Sequence, residues 1–196
     1  MRPWAARADD TSCTGNLFNA TIKGNLEVPK GASCLLVSST VTGNVQVEAG
    51  ANLSIANNVT IGGNIHADRC NSVSMQTEGG NIFVGGNVQI RRCTAGGGYD
   101  GAITISGNFT CDNNLGSCGA GSGAIGGNVR VNNNSGRVTI INTIAGNVQV
   151  NNNSGVSDVS RNIIGGNLQC AGNTGVTDPR GANTVAGKKQ GQCAGL

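Results

Sequence analysis

The sequence predicts an all-β protein, a single right-handed parallel β-helix (β-solenoid) of about nine coils of 19–23 residues. Three observations carry that expectation. Gly-Asn recurs before an apolar residue at Gly24, Gly43, Gly63, Gly86, Gly107, Gly127, Gly146 and Gly166, with a degenerate copy at Gly187. The steps between them are 19, 20, 23, 21, 20, 19, 20 and 21 residues, a period that marks a stacked repeat. Apolar residues keep a fixed phase to this marker, and eight cysteines fall at separations close to one period.

The strand elements follow from the columns. Two residues before the marker glycines stand Ile22, Val41, Ile61, Val84, Ile105, Ile125, Ile144, Ile164 and Val185, all β-branched. Two after them come Leu26, Val45, Ile65, Val88, Phe109, Val129, Val148 and Leu168. Four after them come Val28, Val47, Ala67, Ile90, Cys111, Val131, Val150 and Cys170. Polar residues lie between, so the period is two and one face is buried. Glycine and asparagine in every repeat, with β-branched apolar positions, exclude a helical solenoid. Each coil is expected to hold two or three short strands, stacked in parallel about 4.8 Å apart, with right-handed winding as the default. Nine coils make a rod roughly 40–45 Å long.

The turn elements come next. The asparagines after the marker glycines are expected to stack and to hydrogen-bond as an amide ladder. Each marker glycine is expected to permit a bend with positive φ. The NNNSG pieces at 132–136 and 151–155 are expected to form a second corner, because Asn and Gly tolerate left-handed geometry. An additional Gly-Asn at Gly15 belongs to an irregular first turn. At the far end Lys188 and Lys189 replace the asparagine and the apolar residue, which suits a cap on an open β edge.

The cysteine spacing predicts the pairs Cys13–Cys34, Cys70–Cys93, Cys111–Cys118 and Cys170–Cys193. Three are about one coil apart and the fourth lies within a coil, distances that a disulfide can span. A zinc site does not fit, because there is no CxxC and His66 is the only histidine. Eight cysteines in a small repeat protein predict an oxidising compartment and a secreted protein. The opening residues MRPWAARADDTSC carry no apolar signal core. Residues 1–12 are expected to be a poorly ordered segment, and 13–196 the solenoid domain.

Composition narrows the function. Net charge is +3 and charged residues are 12% of the chain, too few and too dispersed for a nucleic-acid partner. No apolar stretch is long enough to span a membrane. Aromatics are 3%, so the core must be aliphatic. No GxSxG elbow is present, and the Gly-rich runs precede no helix that could bind phosphate.

The residues that could carry chemistry are few. Glu48 and Asp68 share a phase in neighbouring coils and are candidates for a cation site. His66 and Asp68 lie on one strand face and are candidates for an acid/base pair. A threonine column, Thr21, Thr40, Thr60, Thr104, Thr143 and Thr184, is interrupted by Phe83, Ala124 and Ile163. Thr42 adds a Thr-x-Thr doublet in one coil. The longest insertions follow Cys70 and Cys93 and hold Tyr99 and Asp100, the expected place for a sugar-binding groove.

With its repeats aligned, the chain resembles secreted bacterial β-solenoid proteins that carry GNVQV, NNNSG and GGNLQC phrases and end in a piece like NTVAGKKQGQC. The resemblance covers nearly all of 13–193 and brings no activity with it. The segment TVTGNVQVEAGANLSIANNVTIGGNIHAD is more distantly similar to bactofilins, cytosolic solenoids that polymerise end to end, although those are poor in cysteine. The threonine column resembles the faces of ice-binding proteins. Pectate-lyase-like β-helices share the architecture, but their aspartate clusters and catalytic arginine have no counterpart here.

The leading expectation is therefore a secreted, disulfide-stabilised structural or surface-binding module without catalysis or cofactor. A carbohydrate-binding or carbohydrate-active β-helix is the alternative, and ice binding through the threonine column the second. The expected partner class is a polysaccharide or another cell-surface component, and the rod is expected to be monomeric.

Overall fold

The alternating columns fold as a parallel β-solenoid of about nine coils in a computed structural model that describes residues 10–196. The described residues contain twenty-six short strands and no helix, and every strand pairing is parallel. Residues 1–9, most of the segment expected to lack order, lie outside the described residues. Thr11–Ser12 already pair with Leu26 and Glu27, so the sheet begins before residue 13.

Each coil has three faces. The first carries the strand after each marker, from Thr11–Ser12 and Leu26–Val28 to Lys189–Gly191, ten strands in one sheet. The second begins with Asn16–Phe18, Ser33–Val37 and Asn52–Ala56, and the third with Thr21–Ile22 and Thr40–Val41. These two join into one sixteen-stranded sheet where Ser117–Ile125 and Val138–Ile144 run unbroken around the corner. Gly15 thus introduces a second-face strand, with Asn16 opposite Leu35.

The apolar columns point inward and stack in register. Val129 lies opposite Val148, and Val131 opposite Val150. Leu26, Val45, Ile65, Val88, Phe109, Val148 and Leu168 are fully buried. One large residue is accommodated by small residues in the next coil. Tyr99 sits between Met75 and Ala120 in the stack. Its ring meets Phe109 edge-on at 5.5 Å, and Gly123 leaves the space it occupies: a Cβ there would be 2.9 Å from Tyr99 Cε2.

The marker asparagines form a continuous ladder. Each Oδ1 accepts the backbone N–H and the side-chain Nδ2–H of the asparagine one coil further on, at 2.8–3.2 Å from Asn25 to Asn167. Asp10 starts the ladder by accepting from Asn25 Nδ2, and the Lys188 N–H ends it at 2.8 Å from Asn167 Oδ1. The marker glycines correct one expectation. Only Gly24 has positive φ; the later ones do not. Glycine is required for closeness instead. A Cβ on Gly127 would stand 2.6 Å from Asn108 Oδ1 and 2.8 Å from the Gly107 carbonyl oxygen, and its counterparts in other coils are as tight.

The left-handed corner lies elsewhere. Gly31, Gly50, Arg69, Arg92, Asn113, Asn133, Asn152, Gly172 and Gly191 turn between the first and second faces with φ of 54–71°. Beside it runs a buried second ladder, Asn114, Asn134, Asn153, Asn173 and Gln192, of opposite polarity. Here the N–H and Nδ2–H of each residue donate to the amide oxygen of the following one. Each asparagine Nδ2 also donates back to a carbonyl, as Asn153 does to Val131 O at 3.0 Å. Asn142, Asn162 and Asn183 repeat this device between the second and third faces.

Four disulfides join Cys13–Cys34, Cys70–Cys93, Cys111–Cys118 and Cys170–Cys193. Cys70 and Cys93 are stacked in register, since Asp68 lies opposite Arg91. Cys13 and Cys170 reach their partners on a diagonal, because Asn16 is opposite Leu35 and Cys170 is opposite Gly191. The last coil is closed by its own tail: Leu196 packs on the core and its carbonyl accepts from Lys189 Nζ.

Two mutational tests follow from this packing. Gly127→Ala should lower stability by about 2 kcal/mol or more through forced separation of two coils. Gly119→Ala, whose Cβ would meet nothing within 4 Å, should stay within about 0.5 kcal/mol. Asn134→Ala should cost about 3 kcal/mol, since it strands buried partners on both sides, whereas Asn133→Gly at the exposed left-handed position should be nearly neutral. Chemical denaturation of the oxidised protein measures all four.

Candidate functional site

Alternation that sends Leu26 and Val28 inward must send Glu27 outward, and the same holds in every coil of the first face. Glu27, Gln46, His66, Gln89, Thr110, Arg130, Gln149, Gln169 and Gln190 therefore form one outward column in register. The asparagine ladder rises alongside it. Between column and ladder runs a groove, with a stretch of about 710 Å³ from Asp10 to Thr110 and another of about 480 Å³ onward to Gln190. The two share Asn108 and Thr110, so the groove follows the rod along its length.

The groove walls are mostly uncharged amides. His66 stands on its outward column, where the Gln89 amide, in the orientation that also accepts from Arg91 at 2.9 Å, donates to Nδ1 at 2.6 Å. Asp68 lies two residues on, on the same face and opposite Arg91, and is held by other partners. Arg92 clasps its carboxylate with two hydrogen bonds of 2.7 and 2.6 Å, and Arg69 approaches to 3.6 Å. Those two arginines occupy left-handed corner positions, and the shared acid offsets part of that conformational cost. Glu48 stacks next to Asp68, as the Val47–Ala67 pairing requires. Among the described residues no group of three or more His, Cys, Asp or Glu is arranged to hold a metal ion.

Two other acids, Asp112, which shares the phase of Glu48 and Asp68, and Asp158, are the most buried. Asp112 is covered on the first face, accepting the Asn132 N–H at 3.1 Å and facing Arg130 at 3.2 Å. Burial pushes its pKa up, outweighing the pull of Arg130, the Asn132 N–H and Arg91. Asp158 lies on the second face beneath Arg180 at 3.0 Å and Arg137 at 3.7 Å, and Ser160 Oγ donates to it. No local motif announces either one. The arginines that cover them lie one coil away.

The threonine column does form on the third face. Thr21, Thr40 and Thr60 are in register, then Phe83, Thr104, Ala124, Thr143, Ile163 and Thr184. Phe83 and Ile163 are exposed within it. Thr42 belongs to the corner, where its Oγ1 accepts the Gly24 N–H at 2.9 Å.

The sugar groove expected around Tyr99 and Asp100 is a shallow depression there, with the Tyr99 side chain buried. Tyr99 is a core residue, 5% exposed, and its hydroxyl donates to Asn142 Oδ1 at 2.7 Å. Burial pushes its pKa far up. Asp100 lies on the strand Gly96–Asp100, opposite Gln76 and beside a shallow depression of about 340 Å³. The three extra residues of the coil after Gly63 are taken up in the turn at 77–81, which lengthens a corner without building walls.

Asp112 supplies a pH test. A carboxyl whose folded pKa is raised contributes stability at acid pH that is lost as pH rises through that pKa. Asp112→Asn keeps the hydrogen bond to Asn132 and should melt higher than wild type at pH 7. The difference should shrink as pH falls below the carboxylate range, as thermal melts across pH would record.

No protein-family model, curated protein or solved structure matches the chain.

Proposed function

We propose that the protein is a non-catalytic, disulfide-stabilised extracellular rod that binds through the groove on its first face. The observation that carries this reading is the groove itself, long, repetitive and walled by carboxamides instead of titratable pairs. Asp68 is held by arginines and His66 by Gln89, an arrangement suited to structure.

The four disulfides support maturation in an oxidising compartment and a secreted location. One closes each end region of the rod, where a stack of repeats frays first. In the chain-entropy account each loop of 21–23 residues contributes about 3 kcal/mol. Lys188 and Lys189, which replace the ladder asparagine and the apolar residue in the coil at Gly187, support separate rods in place of end-to-end filaments. Kinship with the secreted bacterial solenoids that share GNVQV and NNNSG, and more distantly with bactofilins, rests on those phrases. Ice binding keeps one supporting observation, the threonines in register, but bulky Phe83 and Ile163 break the flat rank that such a face needs.

The non-catalytic reading is tested by incubating the oxidised protein with soluble polysaccharides and following chain length. No shortening above that of Asp68→Ala or His66→Ala protein is expected. A saturable cleavage abolished by either substitution would overturn it.

A further inference from the structure

The chemistry of the amide walls specifies what the groove can hold. An asparagine carboxamide has two N–H groups and an oxygen with two lone pairs. In the outer ladder the oxygen accepts two hydrogen bonds, while Nδ2 donates only one, to the asparagine before it. Each coil thus presents one uncommitted N–H along the groove, at a repeat of about 4.8 Å. On the opposite wall Gln149 and Gln169 make no side-chain hydrogen bond within the described chain, so each offers both a donor and an acceptor.

Charge narrows the partner further. Glu27 and Asp10 lie at one end of the groove, and Arg130 near its middle is paired with Asp112. A polyanion would call for unpaired arginines or lysines along the track. A polycation would call for acids. A wall of repeated neutral donors and acceptors matches a chain of repeated neutral donors and acceptors, which is what hydroxyl groups are.

Building on the binding reading above, we propose that the first-face groove holds an extended, neutral, hydroxyl-rich polysaccharide laid along the rod axis. Successive coils meet successive stretches of the same chain. Apart from Asp10 and Glu27 at one end and the paired Arg130, the polar walls are amide, hydroxyl and imidazole in character, so affinity accumulates from many modest hydrogen bonds. Long chains bind and short oligosaccharides do not, because each added contact within one chain is intramolecular.

The test uses the full oxidised chain in affinity electrophoresis and calorimetry. The probes are a soluble linear β-glucan, a linear mannan and polygalacturonate, with a tetrasaccharide of each neutral polymer. Saturable binding of at least one neutral polymer is expected, at least about tenfold tighter than its tetrasaccharide. Binding should change little between about 0.05 and 0.5 M salt. Gln149→Ala with Gln169→Ala should weaken it about fivefold or more while the melting temperature holds. Thr104→Ala with Thr143→Ala, on the third face, should leave it unchanged. No binding to any neutral polymer, a salt-sensitive preference for polygalacturonate, or equal loss in the third-face variant overturns the proposal. Shortening of the polymer would instead overturn the non-catalytic reading, whatever the binding result.

Discussion

The structure depends on how closely one coil can lie on the next. Backbone hydrogen bonds set the spacing at about 4.8 Å, and everything placed at a corner must fit within it. At the outer corner the fit is achieved by glycine. Its missing Cβ lets the Gly107 carbonyl and Asn108 Oδ1 approach the backbone of the coil above. The asparagine that follows turns that closeness into bonding, because one amide oxygen can accept both a backbone and a side-chain N–H. Gly and Asn are thus two halves of one interaction, repeated from coil to coil.

The same amide chemistry resolves the harder problem of the interior corners. A chain that bends every few residues must turn polar backbone groups inward, and unpaired groups there are costly. Asn134 and Asn153 use both amide hydrogens and the amide oxygen within the protein, so a buried polar column is tolerated beside an aliphatic core. The inner ladder ends in Gln192, whose longer side chain both accepts from Asn173 and donates to its carbonyl. Inner and outer ladders run with opposite polarity, so their aligned amide dipoles oppose one another along the rod.

The groove on the first face is a by-product of scaffold chemistry. The outer ladder needs only half of each asparagine's donor capacity, and the remainder lines the groove. Arginines neutralise Asp68, Asp112 and Asp158 at corners and on the flat faces, so the acid character of the groove is confined to the end that holds Asp10 and Glu27.

The sequence alone determined the coil period, the inward columns and the phase of the cysteines. Each of these repeats, and a repeat is legible without knowing what it touches. Val129 over Val148 and Asn128 over Asn147 could be read from two similar phrases. Three matters were decided only by the tertiary structure. The marker glycines serve close approach and not positive φ, since that depends on an atom one coil away. Tyr99 enters the core instead of lining a groove, because Ala120 and Gly123 in later coils make room for it. The groove itself arises where the ladder and an outward column are brought side by side, a relation between faces that no single stretch of sequence contains.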